Sequence, residues 1–332
     1  MKGFILAAGF GTRLWPLTED RTKAAIPFLN RPLIEYSVEY LASHGIRDLI
    51  VNLHHQPESI RQALGDGSGL GVSIQYSLEE EILGTSGAWD KVRDSLVDDD
   101  FVVMNGKLVT NIDLTDVIAG HLKQDAIATL VLRENRALEH FSMVEVDERG
   151  LIAKFAGFPE ATQPAVLEAE ALTAPVELIS TTTVPLMFTG IQILSPRILE
   201  YVPHDCFSHS TIHVYPKAIE AGERVAAYIS NDDWYEMSTV GRYLDAHIKF
   251  LREGSVCAGE GCRIDPTSSV EESVLWEQVT VESGALVRQS VIGAGVRIPA
   301  DARIERSVVV RKDVVHQMER GEVDGENVIV PI

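Results

Sequence analysis

Cysteine is scarce in this sequence of 332 residues, which contains only Cys206, Cys257 and Cys262. Three thiols are too few for a disulfide framework, and none of them belongs to a Cys-x-x-Cys pair of the kind that binds structural zinc. We therefore interpret all three as reduced structural residues.

Basic residues are also in the minority, because 29 Lys and Arg stand against 49 Asp and Glu and give a formal net charge of −20. Nucleic acids and anionic membranes are bound mainly through basic surfaces, so this charge argues against both as partners. A small molecule that carries phosphate is compatible with the charge, since a local cluster of donors can override the global sign.

Long hydrophobic runs are missing as well. No apolar stretch approaches the roughly 20 residues that span a bilayer, and the opening MKGFILAAGFG lacks the layout of a signal peptide. We predict a cytoplasmic protein. Hydrophobic residues still make up 45% of the chain, an ordinary share for a well-packed protein, and its length suggests two domains.

Strand-like and helix-like patterns alternate as far as residue 134. Apolar runs rich in β-branched residues predict strands at 3–8, 48–55, 72–79, 101–106 and 126–134. The segments between them have apolar residues three or four apart, which predicts helices at 33–45, 57–67, 85–96 and 113–124. Such alternation is typical of an α/β fold with a mainly parallel sheet and helices on both faces.

The pattern changes after residue 134. Residues 142–155 alternate around Asp-Glu-Arg-Gly and predict a hairpin, and 187–194 predict a strand that re-enters the sheet. Residues 156–183 are rich in Ala, Pro and Thr, so we expect a loop with at most one short helix. A helix at 240–254 closes the first domain, which we place at 1–254.

The remaining residues, 255–332, repeat with a period of 17. Ser-Val pairs start at 273, 290 and 307, each 17 residues after the one before. Small or apolar residues recur about every six positions, three times in each period. This spacing predicts a parallel β-helix in which each coil buries its apolar face on the next.

A glycine-rich segment follows the first predicted strand. Gly9 and Gly11 allow backbone conformations in which successive N–H groups face phosphate oxygens. Thr12 adds a hydroxyl, and Arg13 and Lys23 add positive charge suited to a triphosphate. The segment is neither a Walker loop nor a GxGxxG fingerprint, and its glycines alone fit a tight turn equally well.

The whole segment is more specific than its glycines. Leu-Ala-Ala-Gly-x-Gly-Thr-Arg-Leu-x-Pro-Leu-Thr at 6–18, then Lys23, then Pro-x-x-Asn-x-Pro at 27–32 closely resemble the signature of sugar-1-phosphate nucleotidyltransferases, the NDP-sugar pyrophosphorylases. The resemblance covers nearly the whole chain through further matches in VNLHH (51–55), YSLEEEILGTSGA (76–88), FTGIQIL (188–194) and DWYEMSTVGRYL (233–244). VNLHH and ILGTSGA favour the mannose-1-phosphate guanylyltransferase-like branch.

The resemblance implies a fold and a reaction. Residues 1–254 would form a Rossmann-like nucleotidyltransferase domain with a mixed, mainly parallel sheet, and 255–332 a left-handed β-helix that joins copies of the chain or a partner subunit. In the implied reaction a sugar-1-phosphate attacks the α-phosphorus of an NTP and releases pyrophosphate. GDP-mannose is the first choice of product, with dTDP- and UDP-sugars behind it. Catalysis would rest on positioning and on charge neutralisation by Mg²⁺.

The resemblance also implies site residues. Arg13 and Lys23 would be catalytic, Thr189 and Gly190 would contact the sugar, and Glu236 would bind the metal. The nucleotide-binding residues would be Leu6, Ala7, Ala8, Gly9, Gly11, Thr12, Arg13, Glu79, Gly84, Thr85, Asn105, Gly106 and Lys107.

Two departures from the family pattern concern charge. The family places a metal-binding aspartate directly after Asn-Gly, where this chain has Lys107. A pair of unit charges 4 Å apart interacts by about 4 kcal/mol at an effective dielectric near 20. Lys107 should therefore expel Mg²⁺ from the usual place, or lose its own charge through a lowered pKa to remain near the ion. The same ammonium would attract a diphosphate directly. The family's Glu-Lys-Pro, whose lysine holds the sugar phosphate, is replaced by Phe-Ala-Gly-Phe-Pro at 155–159.

Two functions are therefore in competition. An enzyme that makes an NDP-sugar agrees with the intact phosphate loop, Arg13 and Lys23. A catalytically impaired relative that binds a sugar nucleotide as a regulatory or scaffold subunit agrees with Lys107 and the lost Glu-Lys-Pro. The sequence favours the enzyme by a small margin, because most of the signature is present.

Overall fold

The structure is a computed structural model that describes residues 1–157, 184–252 and 254–332. It has an α/β part followed by a β-helical tail. The strands of the α/β part are β1 (Lys2–Leu6), β2 (Pro27–Phe28), β3 (Arg31–Pro32), β4 (Asp48–Leu53), β5 (Ser73–Leu78), β6 (Phe101–Asn105), β7 (Leu108–Thr110), β8 (Ala128–Glu134), β9 (Met143–Val146), β10 (Ile152–Gly157), β11 (Leu186–Leu194), β12 (Val225–Ile229) and β13 (Trp234–Glu236).

Helices connect these strands. They are α1 (Leu33–Ser43), α2 (Pro57–Leu64), α3 (Gly84–Lys91), α4 (Leu114–Gln124), α5 (Tyr215–Glu220) and α6 (Val240–Phe250). Among the residues that the structure describes, no helix has both the length and the apolar character needed to cross a membrane.

Nine of the described strands form one mixed sheet. Its main path is β10-β9-β11-β6-β1-β4-β5, with β8 paired to β11 and β12 paired to β8. The centre β6-β1-β4-β5 is parallel, whereas β11 runs antiparallel to β6 and β8. The predicted α/β fold with a mixed sheet is therefore confirmed.

The central strands are buried on both faces, as the near-continuous apolar runs predict. Alternate residues of β6 pack in opposite layers, because successive side chains of a strand point to opposite faces. Val102 and Met104 join the core on the side of α1 and α4, while Phe101 and Val103 join Trp89 of α3 on the other side. The sheet is thus held between two apolar layers.

The predicted elements before residue 134 are all present, with shifted ends. The helix predicted at 85–96 is shorter than expected, because α3 ends at Lys91 and a separate 3₁₀ turn covers Arg93–Ser95. The apolar spacing continues through that turn to buried Leu96, which explains the longer prediction. The helix predicted at 240–254 likewise ends at Phe250.

After residue 134, the hairpin predicted at 142–155 is confirmed as β9 and β10. The loop predicted at 156–183 lies outside the described residues except for its first two positions, which end β10.

Five short strands of the α/β part were not predicted from the sequence, namely β2, β3, β7, β12 and β13. β12 extends the sheet beyond β8, and β7 pairs with β13 in a separate two-stranded sheet. The sheet of β7 and β13 joins positions more than 120 residues apart, for example Leu108 with Glu236. A short strand of this kind carries too little periodicity to be recognised alone, yet this sheet builds part of the site described below.

The tail forms three columns of short parallel strands. Val274 pairs with Val291 and Val291 with Val308, each 17 residues along the chain, so the predicted period and β-helix are confirmed. The strands of the tail are β14 (Val256–Ala258), β15 (Arg263–Ile264), β16 (Ser269–Glu271), β17 (Ser273–Leu275), β18 (Thr280–Val281), β19 (Leu286–Arg288), β20 (Val291–Ile292), β21 (Arg297–Ile298), β22 (Arg303–Glu305), β23 (Ser307–Arg311), β24 (Glu322–Asp324) and β25 (Asn327–Pro331). β25 pairs antiparallel with β23 and with β24, which caps the last coil.

The glycine-rich signature and the β-helix are in direct contact. The guanidinium of Arg21 lies 4.7 Å from the ring centre of Trp276 and 3.0 Å from the carboxylate of Glu277. The indole N–H of Trp276 donates to the hydroxyl of Tyr243 on α6 at 2.9 Å. Tail, signature segment and α6 therefore share one apolar cluster, which also contains Leu14 and Leu17.

His247 on α6 is a fully buried histidine that helps to hold this cluster. Its Nδ1 lies 2.9 Å from the carbonyl oxygen of Tyr243, and its Nε2 accepts from the backbone N–H of Leu29 at 3.1 Å. These partners require a neutral imidazole with its proton on Nδ1. Burial lowers the pKa of His247 from 6.5 to about 4, against the smaller opposing effect of the Tyr243 carbonyl.

We expect His247 to make the free energy of unfolding depend on pH between about 6.5 and 4. In this window the unfolded chain binds a proton that the folded chain excludes, so stability is complete above pH 6.5 and falls towards pH 4, by about 3 kcal/mol for this group. Urea unfolding at pH 7 and pH 4.5 measures the difference. It should shrink in His247→Gln and persist in the exposed control His316→Gln, and an equal pH dependence in both variants would contradict the assignment.

Candidate functional site

The glycine-rich loop lies at the carboxyl end of β1. Ala7 and Ala8 are buried, whereas Gly9 is exposed to solvent. Gly11 has φ +75°, and a Cβ there would lie 3.0 Å from Thr18 and 3.1 Å from the Cβ of Lys23. The missing side chain therefore allows the loop to close against Lys23.

Arg13 and Lys23, the predicted catalytic cations, follow this loop in two short 3₁₀ turns. Thr12 and Arg13 form an exposed 3₁₀ turn directly after Gly11. Burial lowers the pKa of His140, and the positive charge of Arg13 lowers it further, so Arg13 also faces the segment that follows β8. Lys23 begins the next 3₁₀ turn and is partly buried.

The loop that the family resemblance implies would contact the base or ribose begins at Glu79, directly after β5. Glu79 is only 2% exposed, and both of its carboxylate oxygens accept hydrogen bonds from the protein. Gly84 has φ +74°, and a Cβ there would lie 2.5 Å from the carbonyl oxygen of Ser208. That oxygen accepts the backbone N–H of Ser86 at 3.0 Å. The segment around Ser208 therefore supports the loop.

The end of β6 brings Asn105, Gly106 and Lys107 next to the phosphate loop. Asn105 lies opposite Leu6 in the parallel register of β1 and β6, and the N–H of Gly106 donates to the Leu6 carbonyl at 2.9 Å. A Cβ on Gly106 would lie 2.9 Å from the side chain of Ile5. The glycine thus permits the close approach that delivers Lys107 to the sheet edge.

Lys107 forms an ion pair with Glu236. The sheet of β7 and β13 places them side by side, because Glu236 lies opposite Leu108 and the Met237 N–H donates to the Lys107 carbonyl at 3.3 Å. The ammonium of Lys107 is in direct contact with Oε1 of Glu236. Glu236 is 3% exposed, so its charge lies in the protein interior.

The charge of Glu236 survives burial because cations surround it. Burial would raise the pKa of this carboxyl, but the charge and contact of Lys107, the charge of Lys23 and the hydroxyl of Ser238 together lower it from 4.5 to about 2. Lys23 of the signature and Lys107 of β6 therefore act on the same carboxylate.

Arg242 is a further cation at Glu236 besides Lys107 and Lys23, and the sequence analysis did not identify it. Its Nε donates to the Glu236 carbonyl at 2.8 Å and lies 3.6 Å from the carboxylate oxygen Oε2. The guanidinium also contacts the carboxylate of Glu139 and lies 5.0 Å from the ring centre of Phe141. Its position in the first turn of α6, six residues after Glu236, was the available signal.

The predicted sugar residues lie on β11 beside Asn105. The Thr189 hydroxyl donates to the Val131 carbonyl at 2.7 Å, and the indole N–H of Trp234 donates to the Thr189 carbonyl at 3.1 Å. Gly190 has φ +83°, and a Cβ there would lie 2.1 Å from the amide nitrogen of Asn105. The missing side chain of Gly190 thus makes room for Asn105.

The cation missing from the family's Glu-Lys-Pro is not replaced by its sequence neighbour Lys154. That ammonium pairs with Glu145 at 3.0 Å across the hairpin of β9 and β10, where both side chains are about half exposed.

The residues at Glu236 do not fit a magnesium ion held by the protein alone. Mg²⁺ requires several oxygen ligands in octahedral geometry, and in the described residues no three His, Cys, Asp or Glu side chains come together to hold a metal. Neither carboxylate oxygen of Glu236 accepts a well-aligned hydrogen bond from the described chain, and the Lys107 ammonium contacts one of them. Asp113, the first carboxylate after β7, caps α4, where its side chain is 60% exposed.

Comparison with known proteins identifies the family. A family model described as nucleotidyl transferase matches residues 2–253. The chain belongs to the nucleotidyl transferase family. A second model, described as a GlmU-like C-terminal hexapeptide, matches residues 251–327 and covers most of the β-helical tail.

Several relatives of this nucleotidyl transferase match along almost its whole length. A UTP–glucose-1-phosphate uridylyltransferase of Synechocystis is 29% identical over 335 residues, which cover 95% of this chain and 81% of the relative. A probable mannose-1-phosphate guanylyltransferase 3 of Oryza sativa subsp. japonica is 27% identical over 360 residues, which cover 99% and 92%. Their names differ in both base and sugar.

A solved structure agrees in fold. The crystal structure of HddC from Yersinia pseudotuberculosis superimposes with a TM-score of 0.61 at 22% identity and covers 75% of this chain and 99% of its own. At this identity the likeness concerns the fold alone.

Proposed function

We propose that this nucleotidyl transferase joins an NMP group from an NTP to a sugar-1-phosphate and releases pyrophosphate, with GTP and mannose-1-phosphate as the first choice of substrates. The observation that carries the proposal is the meeting of three features at one sheet edge. These are the glycine loop with Arg13, the Lys23–Glu236–Lys107 cluster, and Thr189 and Gly190 of β11.

The residues of this edge would act by binding and charge neutralisation. The loop from Gly9 to Arg13 would receive the triphosphate through backbone N–H groups and the Arg13 guanidinium. Lys23 and Lys107 would stabilise the negative charge that grows on the α-phosphate as the sugar phosphate attacks. Thr189 and Gly190 would line the sugar side.

Magnesium is part of this proposal only as the counter-ion of the triphosphate. When bound with the substrate it would neutralise phosphate charge. Glu236 would orient the Lys107 ammonium, and Arg242 would hold Glu236 in place. The ammonium supplies a fixed positive charge at the position where the family resemblance implies a metal-binding aspartate.

A non-catalytic sugar-nucleotide binder is the alternative that Lys107 raises. The relatives do not favour it, because those above are named as transferases over nearly the full chain. The proposal also includes two domains at 1–254 and 255–332, a cytoplasmic location, and self-association or binding of a partner subunit through the β-helix.

We expect the purified chain to release pyrophosphate from one NTP when a sugar-1-phosphate is present. The assay crosses GTP, dTTP, UTP, ATP and CTP with mannose-, glucose- and N-acetylglucosamine-1-phosphate, and product chromatography identifies the NDP-sugar. An Arg13→Gln variant serves as a control, because it keeps the loop but removes charge that would face the triphosphate. Silence of the native chain with every pair, together with tight binding of a finished NDP-sugar, would establish the alternative.

A further inference from the structure

Three hydrogen bonds in series connect the phosphate loop with the loop that leads into α3. The backbone N–H of Ala7 donates to Oδ1 of Asn52 at 2.7 Å. The amide nitrogen of Asn52 donates to Oε1 of Glu79 at 2.7 Å, and the backbone N–H of Leu83 donates to Oε2 of Glu79 at 2.9 Å. We call Asn52 and Glu79 the brace.

The brace is an interior structure. Asn52 and Glu79 are each 2% exposed. A buried carboxylate is unfavourable unless donors compensate it, and each oxygen of Glu79 has one donor from the chain. Hydrogen bonds to a carboxylate are short and strong, so Glu79 is fixed between the two loops. Its burial and its two protein donors make it a poor direct contact for a nucleotide.

The brace spans the two ends of the nucleotide site. Asn52 is the last residue but one of β4, and it lies opposite Leu6 in the parallel register of β1 and β4. Glu79 follows β5 directly, and its backbone N–H donates to the Leu53 carbonyl at 2.7 Å. One end of the brace therefore holds the start of the phosphate loop, and the other holds the turn before Gly84 and Thr85.

We infer that Asn52 and Glu79 are positioning residues that set the separation of the phosphate subsite from the base subsite. The inference rests on the proposed function for the identity of these two subsites. A brace of fixed length favours ligands that engage both ends at once, which are nucleoside triphosphates. Nucleosides and inorganic polyphosphates engage one end only and gain nothing from it.

An exchange of the two side-chain types tests this role. In Glu79→Gln the new amide N–H group faces one of the two groups that donate to Glu79, the Asn52 amide or the Leu83 N–H, so one hydrogen bond is lost. In Asn52→Asp two carboxylates face each other, and the hydrogen bond between these side chains is lost. The double variant Asn52→Asp with Glu79→Gln restores all three hydrogen bonds. The carboxylate at 52 accepts from Ala7 and from the new amide, whose oxygen accepts from Leu83. The net charge is the same as in the native chain.

Binding of three probes to the free protein separates positioning from general damage. The probes are the NTP that the native chain binds most tightly, the corresponding nucleoside, and tripolyphosphate, measured by isothermal titration calorimetry. We expect each single variant to weaken NTP binding by about tenfold or more, the loss of one hydrogen bond to a charged group. Tripolyphosphate and nucleoside should bind as they do to the native chain, and the double variant should recover NTP binding.

Glu80→Gln is the matched control, because the neighbouring Glu80 is exposed and the charge change is identical. If the single variants weaken all three probes alike, or if the double variant stays as weak as the single ones, the brace has no positioning role. If the native chain binds none of the five NTPs, the proposed function fails and the inference falls with it. The two failures are distinguished by the native titration alone.

Discussion

Lys107→Met is expected to lower kcat for pyrophosphate release by at least about a hundredfold, the usual effect of removing one preorganised charge from the reacting centre. The variant also removes the cation in direct contact with the buried carboxylate of Glu236, which keeps Arg242, 3.6 Å from Oε2, and the charge of Lys23. Removing one partner of a buried ion pair costs about 3 kcal/mol or more. We therefore expect lower stability as well, measured by urea unfolding at pH 7.

A double variant separates the two effects of this substitution. Lys107→Met combined with Glu236→Gln removes both buried charges, so the free energy of unfolding should recover most of the loss, since a buried pair is worth little relative to neutral side chains. The rate should not recover, because the positive charge is still missing. If Lys107→Met kept the native kcat, the proposed role of the ammonium would be wrong.

Gly190→Ala has the second largest expected effect. Its φ of +83° is a strained conformation for alanine, and the new Cβ would lie 2.1 Å from the amide nitrogen of Asn105. We expect a loss of about 2–4 kcal/mol in the free energy of unfolding. Because Gly190 itself lies on the proposed sugar side of the site, the KM for the sugar-1-phosphate should also rise more than the KM for the NTP.

Gly120→Ala is the matched control for that substitution. Gly120 lies within α4, and a Cβ there would have no atom within 4 Å. The same chemical change should therefore stabilise the protein, by about 0.5–1 kcal/mol from helix propensity. Similar destabilisation by both substitutions would show that Gly190 has no special role.

The fold was largely predictable because its signals are local and repeated. Each central strand is an apolar run with β-branched residues, such as Phe101–Asn105, and each connecting helix shows apolar spacing of three or four. The tail repeats its Ser-Val pairs every 17 residues, and the register of Val274, Val291 and Val308 follows that period. Periodicity of this kind does not depend on distant contacts.

The ion pair of Lys107 and Glu236 was predictable from the sequence only in part. The sequence drew attention to Lys107 through its neighbours Asn105 and Gly106, and to Glu236 through a late motif. It did not predict their ion pair, because the contact depends on β7 and β13, two strands of three residues. Expulsion of a metal by Lys107 was an inference from charge, and the contact with Glu236 gives it a structural basis.

The role of Glu79 shows a different limit. Its position in the segment YSLEEEILGTSGA predicts contact with the nucleotide, and it stands beside the exposed Glu80. Glu79 turns inward, where its carboxylate accepts a hydrogen bond from the side chain of Asn52, which lies 27 residues earlier near the end of β4. Parallel strands bring such residues together at the sheet edge, and one sequence does not say which of three consecutive glutamates turns inward.

Binding of Mn²⁺ to the protein without nucleotide, followed by electron paramagnetic resonance, tests the central claim that the Lys107 ammonium takes the place of a protein-bound metal. The native chain is expected to leave Mn²⁺ free in solution, because Glu236 is already paired with Lys107. Lys107→Asp should acquire a site, since two carboxylates would then face each other there. A native chain that binds one Mn²⁺ ion, and loses it in Glu236→Gln, would contradict the account.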